Sequence, residues 1–173
     1  MHNLVIQDFK QHILTRMEEN TPRIERCLAE LSDAEIWQRP NPSSNSVGNL
    51  ILHLCGNIRQ YAIASLGNKE DQRQRETEFA AQGGFTKMEL MGTLQSTVSE
   101  ALETIRLAPD PEMLRVRTVQ GFQMSGIGIA VHVCEHYSYH TGQIAFWVKL
   151  LKDKDLGFYA GQDLGVKNEG AVS

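Results

Sequence analysis

Four long segments of this chain carry apolar residues at helical spacing, a pattern that leaves little to build except a bundle of helices. The first runs from Leu4 to Leu31 through Val5, Phe9, Ile13, Met17, Ile24 and Leu28, and Pro22 predicts a kink or restart within it. Ser32-Asp33-Ala34-Glu35 has the capping pattern of a short helical turn, which Pro40-Asn41-Pro42 ends. Ser46 caps the second segment, with Val47, Leu50, Ile51, Leu54, Ile58, Tyr61 and Ala62 as its apolar side and Gly67 as its stop. Residues 68–84 are polar, end in Gly83-Gly84, and read as a long exposed connection. Thr86-Lys87-Met88-Glu89 opens the third segment, which carries Met91, Leu94, Val98, Leu102 and Ile105 as far as Pro109-Asp110-Pro111.

Residues 114–123 alternate in the manner of a strand, yet no second strand is evident for them to pair with, so they read as an extended crossover. The fourth segment runs from Ser125 to about Lys152 with Ile129, Val133, Tyr137, Ile144, Ala145, Val148 and Leu151 on its apolar side. Residues 153–173, punctuated by Gly157, Gly161, Gly165 and Gly170, read as a tail. The expectation is an all-α, four-helix bundle with a long crossover connection, forming a single domain over residues 1–173.

A chain of 173 residues buries enough surface to fold without disulfides or a structural metal. Cys27, Cys55 and Cys134 are odd in number, far apart and without a Cys-x-x-Cys pair, and read as buried thiols in a reducing compartment. The formal charge is -4, and the 17 Lys and Arg are scattered, so no nucleic-acid partner is expected. The first residues lack a basic region leading into an apolar core, and no apolar run approaches the ~20 residues of a membrane span. The corresponding expectation is a cytoplasmic protein with no membrane partner.

Polar residues inside these apolar helices carry the functional signal. His132, His136 and His140 recur every fourth residue on one face of the fourth helix. Two such neighbours can chelate one ion, but not all three, because His132 and His140 lie about 12 Å apart along the axis and a zinc–nitrogen bond is about 2.1 Å. The pair is therefore His132 with His136 or His136 with His140. On the second helix, Asn49, His53, Asn57 and Gln60 form a polar stripe that either faces solvent or lines a site where partners complete it. That stripe contains no Asp or Glu to act as a general base.

Glu135-His136-Tyr-Ser-Tyr-His140-Thr-Gly-Gln-Ile resembles the His-x-x-x-His-x-Gly-Gln signature of the DinB/YfiT-like superfamily of metal-dependent enzymes, and Asn45 to Leu54 is similar to the helix that carries that superfamily's first ligand. The order of elements matches to about residue 152. The resemblance implies a divalent metal ion, nickel or zinc, on His53, His136 and His140, with His132 outside the set. It implies relatives that include bacillithiol-using S-transferases, a mycothiol-dependent isomerase and DNA-damage-inducible members. Asn49, Asn57, Glu135 and Gln143 are candidates to orient the ligand rings by hydrogen bonding, Gln143 foremost. The function expected is that of a metal-dependent enzyme, a thiol-dependent S-transferase or a hydrolase, acting on a small-molecule substrate with a low-molecular-weight thiol as cofactor. A non-catalytic metal-binding or sensing module and a metal-free helical interaction protein are the alternatives. The resemblance, together with apolar Phe146 and Trp147 near the end of the fourth helix, also implies a homodimer.

Overall fold

A computed structural model describes residues 2–167. Its first helical arm consists of α1 (His2–Glu18) and α2 (Asn20–Ala29), followed by the single turn α3 (Asp33–Ile36). Helix α4 (Val47–Ile58) passes directly into a π-helical continuation, Arg59–Leu66. A short α5 (Arg75–Ala80) leads to α6 (Lys87–Leu107), α7 (Asp110–Leu114), strands β1 (Arg117–Val119) and β2 (Phe122–Met124), and α8 (Gly126–Lys152). The α1–α2 arm packs against α6 and α8, and α4 packs against the same two helices from the other side. These four arms form a four-helix bundle whose core includes Met17, Ile24, Ile51, Leu54, Ile58, Leu94, Ile105, Ile129, Val133, Tyr137, Ile144 and Val148.

Local chemistry accounts for the ends of these arms. Ser32, Ser46 and Thr86 each close a capping box, accepting a bond from the backbone N–H three residues on while that residue's side chain returns to the cap. The break in the first arm falls at Glu19, upstream of Pro22, because a proline ring clashes with the carbonyl four residues earlier, here that of Glu18. The buried stripe of α1 is Ile6, Lys10, Leu14 and Met17, whereas Val5 is exposed. The apolar pattern misses this rotation because a lysine occupies the stripe. Lys10 Nζ donates to the carbonyls of Arg106 and Ala108, closing the C-terminal end of α6.

Three connections differ from the sequence expectation, one of them the 68–84 segment, which carries α5. Residues 114–123 are not a lone crossover. They start an antiparallel hairpin in which Val119 opposes Phe122, and Gln120 and Gly121, both with positive φ (48° and 84°), make the two-residue turn. The second strand was hidden because the turn reads Gln-Gly instead of the familiar Asn-Gly or Asp-Gly, and the two halves merged into one alternating run. Residues 153–167 are likewise not a free tail. After the left-handed cap at Asp153, Leu156 tucks into the core and Arg26 Nη1 donates to the carbonyls of Leu156 and Gly157. The remainder of the expected tail, 168–173, lies outside the described residues. Among the described residues no helix is long and apolar enough to cross a membrane.

Candidate metal centre

Helices α4 and α8 lie side by side, and the polar stripe of α4 faces α8 and the 70–81 segment instead of solvent. Each member of the stripe has a partner. Asn49 is fully buried; its Oδ1 accepts from Ser46 and Arg39, and its Nδ2 donates to the carbonyls of Glu78 and Ala81. Asn57 Nδ2 lies 3.2 Å from His132 Nε2, and Gln60 Oε1 accepts from Arg73 Nη1. His53 meets the histidines of α8.

His53 Nε2 and His136 Nε2 are 3.1 Å apart, and His136 Nε2 and His140 Nε2 are 3.2 Å apart. All three side chains present a ring nitrogen within 4.8 Å of the others. Metal–nitrogen bonds of about 2.1 Å, at angles between octahedral and tetrahedral, place neighbouring ligand nitrogens about 3.0 to 3.4 Å apart, so the spacing suits one shared cation. Ring orientation fits as well. His140 Nδ1 lies 2.7 Å from Gln143 Oε1, an acceptor that places the proton on Nδ1 and leaves Nε2 a lone pair. A single N–H on His136 can satisfy one neighbouring lone pair but not two, whereas a cation accepts all three.

His132 sits elsewhere. Its ring stacks on Tyr61 with centroids 4.0 Å apart and its Nε2 is taken by Asn57. The π-helical continuation of α4 starts two residues before Tyr61, and its i→i−5 bonding persists to Gly67 N–H, which donates to Ala62 O. Among the residues expected to orient ligand rings, Gln143 touches one directly. Asn57 instead engages His132, Asn49 holds the 78–81 backbone, and Glu135 lies exposed on the rim of a shallow basin of about 280 Å³ that it shares with His132, His136 and Tyr139.

The residues that sequence reasoning missed lie in the 68–84 connection, expected to be exposed throughout. Glu78 is buried, and its Oε2 lies 3.0 Å from His53 Nδ1. Arg73, with a side chain 3% exposed, donates Nε to Glu78 Oε1 at 2.7 Å and Nη2 to Oε2 at 2.9 Å. The Phe79 ring covers His53 with centroids 4.8 Å apart. One signal was available in Gly56, a glycine in mid-helix. A Cβ there would stand 1.9 Å from Glu78 Oε1, so the carboxylate reaches the helix only because that side chain is absent.

Burial, then the neighbouring His140, His53 and His132, pushes the His136 imidazole down to about 3. Burial also lowers His140, against an opposing hydrogen bond to Gln143. For Glu78, burial alone raises the carboxyl, but the bonds from Arg73 and His53 outweigh it and the net position is below the ordinary range. Acid should therefore destabilise the metal-free protein. Between the unfolded histidine value of about 6.5 and the folded value of about 3, the unfolded chain binds a proton at His136 that the folded chain refuses, so stability falls as pH drops through that window. Glu78 adds a contribution complete above about pH 4.3 and lost below it. Urea midpoints in chelator, compared at about pH 7.5 and about pH 5, should show the decline, and identical midpoints would contradict it.

The fold is similar to that of a conserved protein from Enterococcus faecalis (TM-score 0.71, 18% identity, covering 83% of this chain and 97% of that one). It is similar also to the DinB-like protein YjoA of Bacillus subtilis (TM-score 0.64, 15% identity, 88% and 96% covered). A DinB-like protein from Bacillus cereus matches comparably (TM-score 0.65, 15% identity, 86% and 93% covered). Fold and histidine cluster together define a DinB-like helical bundle with three imidazoles at metal-binding distance. The chain belongs to the family described as "Protein of unknown function (DUF1572)", whose model matches residues 5–160. No curated protein matches the sequence.

Proposed function

We propose that His53, His136 and His140 bind one divalent cation, nickel or zinc, and that the protein is a metal-dependent enzyme of the thiol-dependent S-transferase type. The convergence of three Nε2 atoms from two facing helices carries the metal reading. Three neutral imidazoles leave coordination positions open, the pattern of a catalytic site, and the basin beside His136 gives a small molecule access to them. Held by His53, His136 and His140, such a cation would supply Lewis acidity toward a thiol or a carbonyl. The chain's own residues hold the rings in place and keep Phe79 and Tyr139 over the site. Among the described residues no cysteine joins the histidine cluster, and burial raises the thiols of Cys27, Cys55 and Cys134, so on this reading the nucleophilic thiol comes from outside.

Zinc or nickel at a hundred times its dissociation constant should stabilise the protein by about 2.7 kcal/mol, which for a chain of this size raises the melting temperature by about 5–10 °C, and chelator should reverse the shift. A melting temperature indifferent to both metals would overturn the metal reading. Turnover of small electrophiles by the metal-loaded protein with low-molecular-weight thiols tests the enzyme reading, and tight metal binding with no turnover of any thiol would leave the non-catalytic module.

The same proposal includes a homodimer. Phe146 and Leu150 stand 70% and 64% exposed on α8 beside the partly buried Trp147, an apolar stripe suited to a symmetric partner. Light scattering at micromolar concentration should give about twice the chain mass, and Phe146→Glu should reduce it to the monomer. A monomeric wild-type protein would rule this out.

A further inference from the structure

We propose that Glu78, clamped by Arg73 in the space Gly56 leaves open, is a positioning residue that sets the tautomer of His53 and, resting on the metal reading above, the affinity of the centre. His53 Nδ1 has two contradictory neighbours. Glu78 Oε2 at 3.0 Å accepts, which places the proton on Nδ1 and frees Nε2 to ligate. Arg73 Nη2 at 3.1 Å donates, which would make Nδ1 the acceptor and move the proton onto Nε2, blocking it.

The carboxylate wins this contest because Arg73 is already committed to it. Nε and Nη2 of Arg73 both donate to Glu78, and Nη1 is held by Gln60. The approach of Nη2 to the imidazole follows from sharing Oε2 with it. The arrangement is built from several directions: Asn49 fixes the Glu78 and Ala81 carbonyls, Asp71 accepts from Gln60 and from the Arg73 backbone, and Gly56 opens the helix surface. Metal-ligating histidines gain basicity and a fixed orientation from a carboxylate on their far nitrogen. Here that carboxylate arrives on α5, 25 residues from the ligand it serves. Removing it does more than loosen the ring. It hands Nδ1 to Arg73 and selects the tautomer that cannot bind.

Nitrogen-15 long-range correlation spectra of the metal-free protein report the tautomer directly, and competition with a chelating dye reports zinc affinity. Wild-type His53 should carry its proton on Nδ1. In Glu78→Ala it should move to Nε2, and zinc affinity should fall 10- to 100-fold. Gly56→Ala keeps both charges and improves helix propensity while displacing the carboxylate, so it should shift tautomer and affinity in the same direction, and it decides the matter if Glu78→Ala does not fold. Glu76→Ala, on the exposed face of α5, should behave as wild type. A wild-type tautomer and affinity in Glu78→Ala, or in Gly56→Ala where the former does not fold, would overturn the proposal. If wild-type protein binds no zinc, the metal reading falls and the spectra of the metal-free variants alone decide whether Glu78 sets the tautomer.

Discussion

His53→Ala, His136→Ala and His140→Ala should each abolish tight zinc or nickel binding, while His132→Ala should leave most of it intact. A three-ligand centre that loses an imidazole keeps two donors, and among the described residues no fourth His, Cys, Asp or Glu joins the cluster to replace it. His132 is occupied with Tyr61 and Asn57, so its loss costs a stacked contact and leaves Asn57 without its listener, but removes no ligand. The folded state should survive all four substitutions, because the core of the bundle is formed by other side chains. Metal titration with helical circular dichroism as the folding control measures this. Loss of metal from His132→Ala with retention in His140→Ala would place the ligand pair one helical turn earlier on α8.

Arg73→Ala should be among the most destabilising single substitutions outside the hydrophobic core. Arg73 and Glu78 side chains are 3% and 8% exposed, and removing the guanidinium leaves a buried carboxylate with one hydrogen-bonding partner, His53. Breaking a buried pair in this way costs about 3–5 kcal/mol. For a chain of this length that corresponds to a fall in melting temperature on the order of 10 °C. Replacing both partners, Arg73→Met with Glu78→Leu, should recover much of the loss, since it removes the uncompensated charge along with the pair. A single variant that melts within 2 °C or so of wild type would show that the pair is solvated in solution and that the 70–81 segment is not docked.

The bundle was legible in the sequence because its signals are local. Periodicity, the helix caps at Ser32, Ser46 and Thr86 and the proline breaks each depend on residues within a turn or two of one another. The histidines of α8 and the polar stripe of α4 were legible for the same reason, since a four-residue spacing on a helix is a statement about one face. What escaped is non-local or carried by residues with misleading labels. Lys10 occupies a core stripe by donating to carbonyls 96 and 98 residues away, and no pattern within α1 announces those acceptors. Glu78 and Arg73 belong to a stretch whose composition matches a solvated loop. Their burial depends on each other, on Asn49 and on Gly56, so it emerges only when α5 is laid against α4. The hairpin was lost to a single turn residue, Gln120, in a conformation its side chain does not advertise. Leu156 was lost to glycine-rich neighbours that suggest disorder more strongly than one leucine suggests packing.

The three proposed ligands come from two helices, His136 and His140 one turn apart on α8, and His53 from α4, 83 residues before His136. A bound ion would therefore act as a rivet across the bundle, and the pair on α8 as its fixed head. Anything that pries α4 from α8 by an ångström pulls one leg out of three, so the hold on metal becomes a gauge of how tightly the two helices are seated. Conversely, each filling of the site would tighten the joint. A small molecule wedged between those helices would then release metal without ever touching it.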